Sequence, residues 1–255
     1  TYALVFALAI DHAPPYSIVE NTDKPSGLSV AVVSELVKKL GGKLEIIPCP
    51  WARCLALAKS GRADIVAGGF KTPERELAFH FIEPAYFSSK KSIGFFSLRS
   101  GMEIKREEDL KSLRIGVQRG ARYTKEFDQN DALNKLAFNS VQIMIDMLIK
   151  GRIDTFIHVT ETIEPFLNRS ESKNKILASK FVYQKTDDNS LGYVMLSKKS
   201  KHSTLLPLLN KAMLELKQQG QLDKIMSNYL NYPFLKSLPL PRVAEFSKEG
   251  ALISL

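Results

Sequence analysis

Between residues 61 and 75 the chain reads Gly61-Arg62-Ala63-Asp64-Ile65-Val66-Ala67-Gly68-Gly69-Phe70-Lys71-Thr72-Pro73-Glu74-Arg75. The apolar run bounded by glycines predicts a short buried strand, and the glycines at its end favour close approach of the backbone to a ligand. Thr72 and Pro73 predict a helix start, with a hydroxyl N-cap followed by proline. Arg75 falls in the first turn, where helix energetics do not favour a cation. Two interpretations remain open: a guanidinium that holds an anion together with free N–H groups, or a surface arginine paired with Glu74 or Glu76.

The rest of the chain alternates between predicted strands and helices. The first part reads strand, helix, strand, helix, strand, and this order predicts a parallel sheet with right-handed crossovers. The pattern of helix, Gly-Arg-x-Asp and apolar strand then occurs a second time, at Gly151 to Asp154. The repetition predicts two lobes built on one plan, each with a sheet whose strand ends face a shared cleft.

Composition limits the classes of protein that fit. The chain has 255 residues, of which 44% are hydrophobic, enough for two domains with substantial cores. The formal net charge is +9, but the basic residues are spread along the chain without a nucleic-acid-binding motif, so no nucleic acid is expected as a partner. No apolar run approaches the ~20 residues of a membrane span. No signal sequence opens the chain, so export would require that the signal has been removed.

The chain has two cysteines, Cys49 and Cys54, and four histidines. The cysteine spacing is neither a CxxC nor a zinc pattern, and the histidines are scattered, so no metal or other cofactor is expected. Two interpretations of the cysteines remain open: a short-loop disulfide formed in an oxidising compartment, or two small buried apolar residues. The second is slightly favoured, because Cys54 falls inside a helical pattern.

A series of short motifs runs in a fixed order along nearly the whole chain, from Leu4 to Tyr229. It comprises Pro15-Tyr16, Gly27-Leu28, Trp51, Gly61-x-x-Asp64, Thr72-Pro73-Glu74-Arg75, Phe81, Pro84-Ala85-Tyr86, Asp109-Leu110-Lys111, Gly116-Val117-Gln118-x-Gly120, Gly151-Arg152-x-Asp154, Lys217-x-x-Gly220 and Ile225. As an ordered set, these motifs resemble the bacterial extracellular solute-binding proteins of family 3, the amino-acid-type periplasmic binding proteins.

The resemblance implies an α/β fold of the periplasmic binding protein-like type II: two α/β lobes around a ligand cleft, joined by two crossover strands. Lobe one would comprise residues 1–93 and 191–255, and lobe two, which is inserted, residues 94–190. Hinges are expected near Lys90 to Gly94 and near Asn189 to Tyr193.

The same resemblance implies a monomer in the periplasm that delivers a small-molecule ligand to the membrane permease of an ABC transporter. Members of this fold also serve as sensor domains of signalling proteins, and a few relatives are enzymes. His12, His158 and Glu161 could act as a general acid or base if they reach the cleft. A polar loop and a satisfied strand histidine are simpler interpretations, so no catalysis is expected. The tail after Tyr232 is expected to pack along the surface.

Carried over residue by residue, the resemblance predicts the ligand site. Arg75 falls on the carboxylate-binding arginine of the family, Phe70 replaces a usual Ser or Thr, and Trp51 lies where an aromatic often stacks on the ligand. Ala121 and Arg122 replace a usual Gly-Thr-Thr cluster, with loss of hydroxyls. The expected ligand-binding residues are Arg75, Trp51, Gly68, Gly69, Phe70, Asp11, Tyr16, Ala121, Arg122 and His158.

Val159 stands where the amino-acid binders of the family place an aspartate for the α-ammonium group of the ligand. A buried ammonium without a carboxylate partner is costly, so the expected ligand is a small carboxylate-bearing or otherwise anionic molecule rather than an ordinary α-amino acid. The alternative is that Asp11, Glu161 or another acid holds the ammonium in place of residue 159.

Overall fold

The computed structural model describes residues 4–20, 22–88, 92–168, 174–184 and 190–230. The tail after Tyr232 lies outside these residues, so its expected packing stays a prediction. The strands are β1 Val5–Ile10, β2 Lys43–Pro48, β3 Ile65–Gly69, β4 Phe79–Ser88, β5 Ser92–Leu98, β6 Arg114–Gln118, β7 Asn134–Phe138, β8 Thr155–Val159, β9 Ile176–Gln184 and β10 Leu191–Ser197. The α-helices are α1 Leu28–Lys39, α2 Trp51–Lys59, α3 Pro73–Glu76, α4 Lys125–Gln129, α5 Val141–Ile149, α6 Glu164–Leu167, α7 Leu206–Gln218 and α8 Gln221–Leu230.

Two sheets of five strands form two lobes. The sheet of lobe one has the order β2-β1-β3-β10-β4, and that of lobe two has the order β7-β6-β8-β5-β9. In lobe one, β1 pairs in parallel with β2 and β3, whereas β10 is antiparallel to both β3 and β4. Lobe two repeats this arrangement: β6 is parallel to β7 and β8, and β5 is antiparallel to β8 and β9. The repeated plan is therefore confirmed, but the expected parallel sheet is a mixed one.

Each sheet carries apolar side chains on both faces. In β3, Val66 and Ala67 point to opposite sides, as successive strand residues do, and they belong to two different core clusters. The helices cover these faces; α1, for example, buries Leu36 and Val37 in the first cluster. Such double covering fits the continuous apolar runs by which the strands were predicted.

The chain passes between the lobes twice. β4 belongs to the first sheet and β5 to the second, and the chain returns from β9 to β10. The crossings themselves, residues 89–91 and 185–189, lie outside the described residues, so the hinges and the lobe boundaries at residues 93 and 191 stay predictions.

Four local features differ from what the sequence predicts. β4 and β7 are strands that the apolar patterns do not indicate, and both lie at sheet edges. The helix that begins after Thr72 has only four residues, Pro73–Glu76, so it does not provide the helix N-terminus expected to bind an anion. The slight preference for unpaired cysteines is wrong, because Cys49 and Cys54 form a disulfide. The helical pattern around Cys54 did not exclude a disulfide, because only Cys54 lies in α2, whereas Cys49 precedes the helix.

None of the helices in the described part of the chain combines the length and the apolar character needed to cross a membrane.

Candidate functional site

Arg75 lies between the two lobes. Thr72 caps α3 by accepting a hydrogen bond from the Arg75 backbone N–H at 3.2 Å, which confirms the predicted cap and fixes the start of the arginine side chain. The residue is only 5% exposed. Its guanidinium donates to the Phe70 carbonyl of lobe one at 3.0 Å and to the Gly120 carbonyl of lobe two at 3.3 Å. Burial lowers the Arg75 pKa to about 10, so the group stays positively charged at neutral pH.

Trp51 contacts the same point from lobe one. Its indole Nε1 donates to the Gly120 carbonyl at 3.0 Å, and the guanidinium carbon of Arg75 lies 5.5 Å from the centre of the ring. One carbonyl of lobe two therefore accepts hydrogen bonds from two side chains of lobe one. The arrangement joins the lobes around Arg75 and places Trp51 beside it; direct stacking of the indole on a ligand stays a prediction.

Three half-buried aromatic rings lie on lobe one beyond Arg75. The Phe87 ring lies 5.0 Å from that of Tyr16 and 6.4 Å from that of Phe70. The Phe70 ring occupies the position at which the sequence predicts loss of a hydroxyl, while its carbonyl anchors Arg75. Tyr16 and Phe70 were predicted from the sequence, and Phe87 was missed. Its only signal was its place directly after Pro84-Ala85-Tyr86.

Asp11 makes a second contact between the lobes. Its carboxylate accepts a hydrogen bond from the side-chain amide of Gln118 at 3.2 Å. Burial raises the Asp11 pKa to about 6, and the hydrogen bond from Gln118 only partly offsets this effect. A carboxyl held in this way would gain from a cation in the cleft, because a nearby positive charge favours its ionised form.

His158 is half-buried near the end of β8. Its ring packs edge-to-face on Phe166 at 5.7 Å, and the ring of His12 from lobe one contacts Phe166 at 6.2 Å. Burial lowers the His158 pKa to about 4, so the imidazole is neutral at neutral pH. The hydroxyl of Thr162 lies 3.4 Å from its Nε2. Aromatic packing and this polar contact account for the position of His158 without a ligand.

The glycines and Ala121 have local partners. Gly68 has a φ of 86° and a space that only the Tyr86 hydroxyl approaches, whereas a side chain at Gly69 would overlap Met195. Gly69 therefore serves core packing. The backbone N–H of Ala121 donates to the Gln118 carbonyl at 3.0 Å, so in this structure it belongs to a turn.

Arg122 is paired across the cleft. Its guanidinium donates to the Glu74 carboxylate of lobe one at 2.7 Å, and both side chains are about half exposed. Lys59 contacts the same carboxylate at 3.2 Å. These two cations hold the Glu74 pKa below its ordinary value. The surface pair proposed for Arg75 from the sequence is thus made by Arg122.

Val159 packs against the core of lobe two and pairs through its backbone with Ile93. It presents no carboxylate to the cleft. Glu161, the neighbouring acid considered as a substitute, lies in a short helical turn, Thr160–Thr162, and its side chain is outside the described part of the structure.

A large cavity opens beside Arg75. It has a volume of about 840 Å³ and lies between residues 70–73 of lobe one and residues 117–137 of lobe two. Gly120, Gln118 and Phe166 supply the contacts between the lobes that sequence reasoning missed. For Gly120 the sequence did contain a signal, because this residue is the last glycine of the Gly116-Val117-Gln118-x-Gly120 motif. In the structure its φ is 78°.

Similar proteins agree with the fold. Residues 6–232 match the profile of the bacterial extracellular solute-binding proteins, family 3. A probable histidine-binding protein of Campylobacter jejuni is 25% identical over 228 residues, which cover 87% of this chain and 84% of that protein. The L-cystine-binding protein TcyA of Bacillus subtilis is 25% identical over 210 residues, which cover 82% of this chain and 74% of that protein.

Among solved structures, an ancestral arginine-binding protein bound to glutamine superposes with a TM-score of 0.74 at 23% identity. The match covers 91% of this chain and 100% of that one. The substrate-binding protein of an amino acid ABC transporter superposes with a TM-score of 0.72 at 24% identity, covering 89% and 100% of the two chains. At these identities the structures establish the two-lobed fold, and the profile match establishes the family. The chain belongs to the bacterial extracellular solute-binding proteins, family 3.

Proposed function

We propose that this protein captures a small carboxylate-bearing ligand between its lobes and delivers it to the membrane permease of an ABC transporter. The family and the two-lobed fold make binding the expected activity, and the relatives are named as binding proteins rather than enzymes. The ligand class and the delivery step are the new elements of the proposal.

The partners of Arg75 carry the proposal on ligand class. The guanidinium is buried, and in the described part of the chain its hydrogen-bond acceptors are the two neutral carbonyls of Phe70 and Gly120. A guanidinium has five N–H donors in a planar fork that suits a carboxylate. Glu74 and Asp128 favour the charged form of Arg75 through coulombic interaction, but a buried charge is best stabilised by an opposite charge in direct contact. A ligand carboxylate would supply that charge, with the Gly120 carbonyl displaced from the guanidinium.

Export to the periplasm is supported by the cysteines. The Cys49–Cys54 disulfide is typical of proteins that fold in an oxidising compartment. Delivery to a transporter is supported by relatives such as the probable amino-acid ABC transporter-binding protein of Haemophilus influenzae, 21% identical over 219 residues.

The predicted absence of an α-ammonium on the ligand rests on Val159. This partly buried side chain packs against the core of lobe two and cannot accept a hydrogen bond from an ammonium. Several relatives are named for amino acids, which makes this the sharpest question about the site. Asp11 is the competing partner, because its carboxyl lies between the lobes and has a raised pKa.

A thermal-shift and calorimetric screen of amino acids and their deaminated analogues tests both points. We expect the deaminated carboxylates to stabilise the protein more than the parent amino acids. Arg75→Lys should weaken each hit by about tenfold or more, because one point charge replaces a two-pronged contact. Arg152→Lys, on the exposed surface of lobe two, is the matched control and should leave binding unchanged.

Two results would contradict the proposal. Equal binding of every hit to Arg75→Lys and to the parent protein would remove the carboxylate clamp. Strong binding of an amino acid without its deaminated analogue, lost in Asp11→Asn, would assign the ammonium to Asp11 and restore an amino-acid site.

Trp51 offers an independent measurement, since it is the only tryptophan of the chain. A ligand that displaces the Gly120 carbonyl from Arg75 also changes the surroundings of the indole N–H. We expect the fluorescence to shift or quench as the ligand binds, with the same midpoint as the calorimetric titration.

A further inference from the structure

The cavity of about 840 Å³ beside Arg75 is larger than a single carboxylate requires. Its volume falls within the range of ~300–1,000 Å³ that is typical of small-molecule sites. Its walls come from both lobes, so a ligand inside it would contact both. Phe70, Val117, Phe127 and Ala137 are among its apolar lining residues.

Positive charge dominates the remaining walls. The cationic side chains are those of Lys71, Arg119, Arg122, Lys125 and Lys135, and Asp128 is the acidic residue among the lining side chains. Lys71 is paired with Glu83 and Arg122 with Glu74. Both pairs are partly exposed, which makes them weak and replaceable by a ligand anion.

Lys135 is the best-placed cation of the cavity. It is half-buried on β7, and its ammonium donates to the carbonyls of Phe127 and Asp128, each at 3.1 Å. These bonds use two of its three N–H donors and hold the side chain in place, leaving one donor for a ligand. The ammonium also lies 5.3 Å from the centre of the Phe127 ring.

Tyr123 adds a neutral donor to the lining of the same cavity. Its hydroxyl accepts a hydrogen bond from the Gln118 backbone N–H at 2.9 Å, so its own proton remains available to an acceptor. Burial raises the Tyr123 pKa above its ordinary value, which keeps this proton on the hydroxyl. The lining of the cavity therefore offers a fixed ammonium and a fixed hydroxyl.

The cavity and Arg75 share two residues. Phe70 and Gly120 line the cavity, and their carbonyls accept hydrogen bonds from the Arg75 guanidinium. The guanidinium is therefore hydrogen-bonded to the backbone of two residues that line the cavity. A ligand whose carboxylate replaces the Gly120 carbonyl at Arg75 would extend into the cavity with the rest of its body.

We propose that the ligand carries two acidic groups joined by an apolar stretch, one bound by Arg75 and the second by Lys135 and Tyr123 in this cavity. The inference rests on the proposed function, since it takes the carboxylate at Arg75 as the first contact. The second group is a carboxylate or a phosphate, which share the chemistry that these donors recognise. The apolar stretch lies along the apolar lining residues Phe70 and Val117.

Isothermal titration calorimetry with matched acids tests this. Octanedioate carries two carboxylates on an apolar chain, octanoate carries one, and L-cystine adds an ammonium at each end. We expect octanedioate to bind the parent protein about tenfold or more tighter than octanoate. In Lys135→Met that ratio should fall towards one, whereas Lys211→Met on α7 should preserve it. Tyr123→Phe should reduce the ratio by a smaller factor.

The variants separate this inference from the proposed function. Arg75→Gln should weaken octanedioate and octanoate alike. Equal binding of both acids to the parent protein, with both dependent on Arg75, overturns the second subsite and leaves the carboxylate clamp standing. Failure of both acids to bind overturns both proposals.

Inorganic phosphate distinguishes the two kinds of second group. Competition of phosphate with octanedioate that depends on Lys135 supports the subsite and assigns it to phosphate as well as carboxylate. L-cystine binding that depends on Lys135 also supports the subsite, while contradicting the exclusion of an ammonium. A ratio unchanged in Lys135→Met, Arg119→Gln and Tyr123→Phe, each folded by circular dichroism, overturns the inference.

Discussion

Asp64 of lobe one and Asp154 of lobe two occupy the same place in the repeated Gly-Arg-x-Asp segments, just before β3 and β8. The Asp64 carboxylate accepts the backbone N–H of Ala7 in β1 at 2.8 Å, and its own N–H donates to the Ala7 carbonyl at 2.9 Å. The Asp154 carboxylate accepts the N–H of Arg114 in β6 at 2.7 Å, and its N–H donates to the Arg114 carbonyl at 2.9 Å. Each aspartate thus fixes its strand to the neighbouring parallel strand.

The two aspartates differ in the partner that completes the contact. Asp64 is 6% exposed and accepts a second hydrogen bond from the buried Ser200 hydroxyl. The Asp154 side chain is 34% exposed and pairs with the Arg114 guanidinium at 2.7 Å. The same motif is therefore satisfied by a neutral partner inside one lobe and by a charge near the surface of the other.

The repeated segments can be compared with the predicted ligand-binding residues. The repeated segments hold the sheets together, whereas Arg75 and its Gly120 acceptor lie in segments that are not repeated: Thr72 to Arg75 after β3, and the Gln118 to Tyr123 loop after β6. The echo in the sequence is a signal of the fold, and it carries no information on the ligand.

The largest expected contrast is between the two aspartates themselves. Asp64→Ala leaves the Ala7 N–H and the Ser200 hydroxyl without an acceptor in a buried place, and should cost about 3 kcal/mol of unfolding free energy. Asp154→Ala should cost about 1 kcal/mol, because water can reach the exposed groups. Urea denaturation followed by circular dichroism measures both. Equal costs would show that burial does not distinguish the two contacts, and Asp64→Asn should fall between.

The glycines that open the segments should differ next. Gly61 and Gly151 have positive φ values of 81° and 65°, but an ideal Cβ at Gly61 would lie 2.8 Å from the Lys199 carbonyl oxygen, whereas nothing lies within 4 Å at Gly151. Alanine at either position adds backbone strain of about 1 kcal/mol. Gly61→Ala should therefore cost about 2 kcal/mol and Gly151→Ala about 1 kcal/mol. If urea denaturation gave Gly61→Ala and Gly151→Ala equal midpoints and equal slopes, the close contact at Gly61 would be contradicted.

The pH dependence of stability should have opposite signs in the two lobes. Asp11 has a pKa raised to about 6, so its contribution to the unfolding free energy is present at low pH and is lost as the pH rises through that value. His158 has a pKa lowered to about 4 from 6.5, so its contribution is present above 6.5 and is lost as the pH falls through 4. Between these values the slopes oppose each other and partly cancel.

Single variants should reveal each slope. In Asp11→Asn the unfolding free energy should rise with pH between about pH 4 and pH 6, and in His158→Gln it should fall, each by about 1–2 kcal/mol. Urea denaturation in a series of buffers measures this. Identical profiles for both variants would contradict the raised pKa of Asp11 and the lowered pKa of His158.

The smallest expected effect belongs to the ion pair that joins the lobes. The Glu74 and Arg122 side chains are 57% and 45% exposed, so their coupling should be about 0.5 kcal/mol or less and should vanish at high salt. A double-mutant cycle with Glu74→Gln and Arg122→Gln measures it. The partly exposed Arg114–Asp154 contact within lobe two, with its additional backbone bond, should show the larger coupling.

Much of the fold could be predicted from the sequence, because local patterns reported it directly. Apolar runs marked eight of the ten strands, and Thr72 and Pro73 marked the start of α3. β4 and β7 were missed for physical reasons. β4 contains Pro84, which is tolerated at a sheet edge, and β7 is short and largely accessible, so neither has the pattern of a buried strand.

The sequence by itself determined the alternation of strands and helices, the repeated plan of two lobes, and the family, since these depend on the spacing of residues along the chain. It also predicted Arg75, Trp51, Asp11 and Tyr16 as ligand-binding residues.

Only the tertiary structure decided which groups meet across the cleft. The Gly120 carbonyl accepts from both Arg75 and Trp51, and Gln118 reaches Asp11. It also decided that Cys49 and Cys54 are joined and that cationic side chains from two lobes line one cavity. These contacts join residues that are mostly far apart in sequence, and their partners depend on how the two sheets are placed. No local pattern contains that information, because hydrogen bonds and charge pairs are set by distances in space.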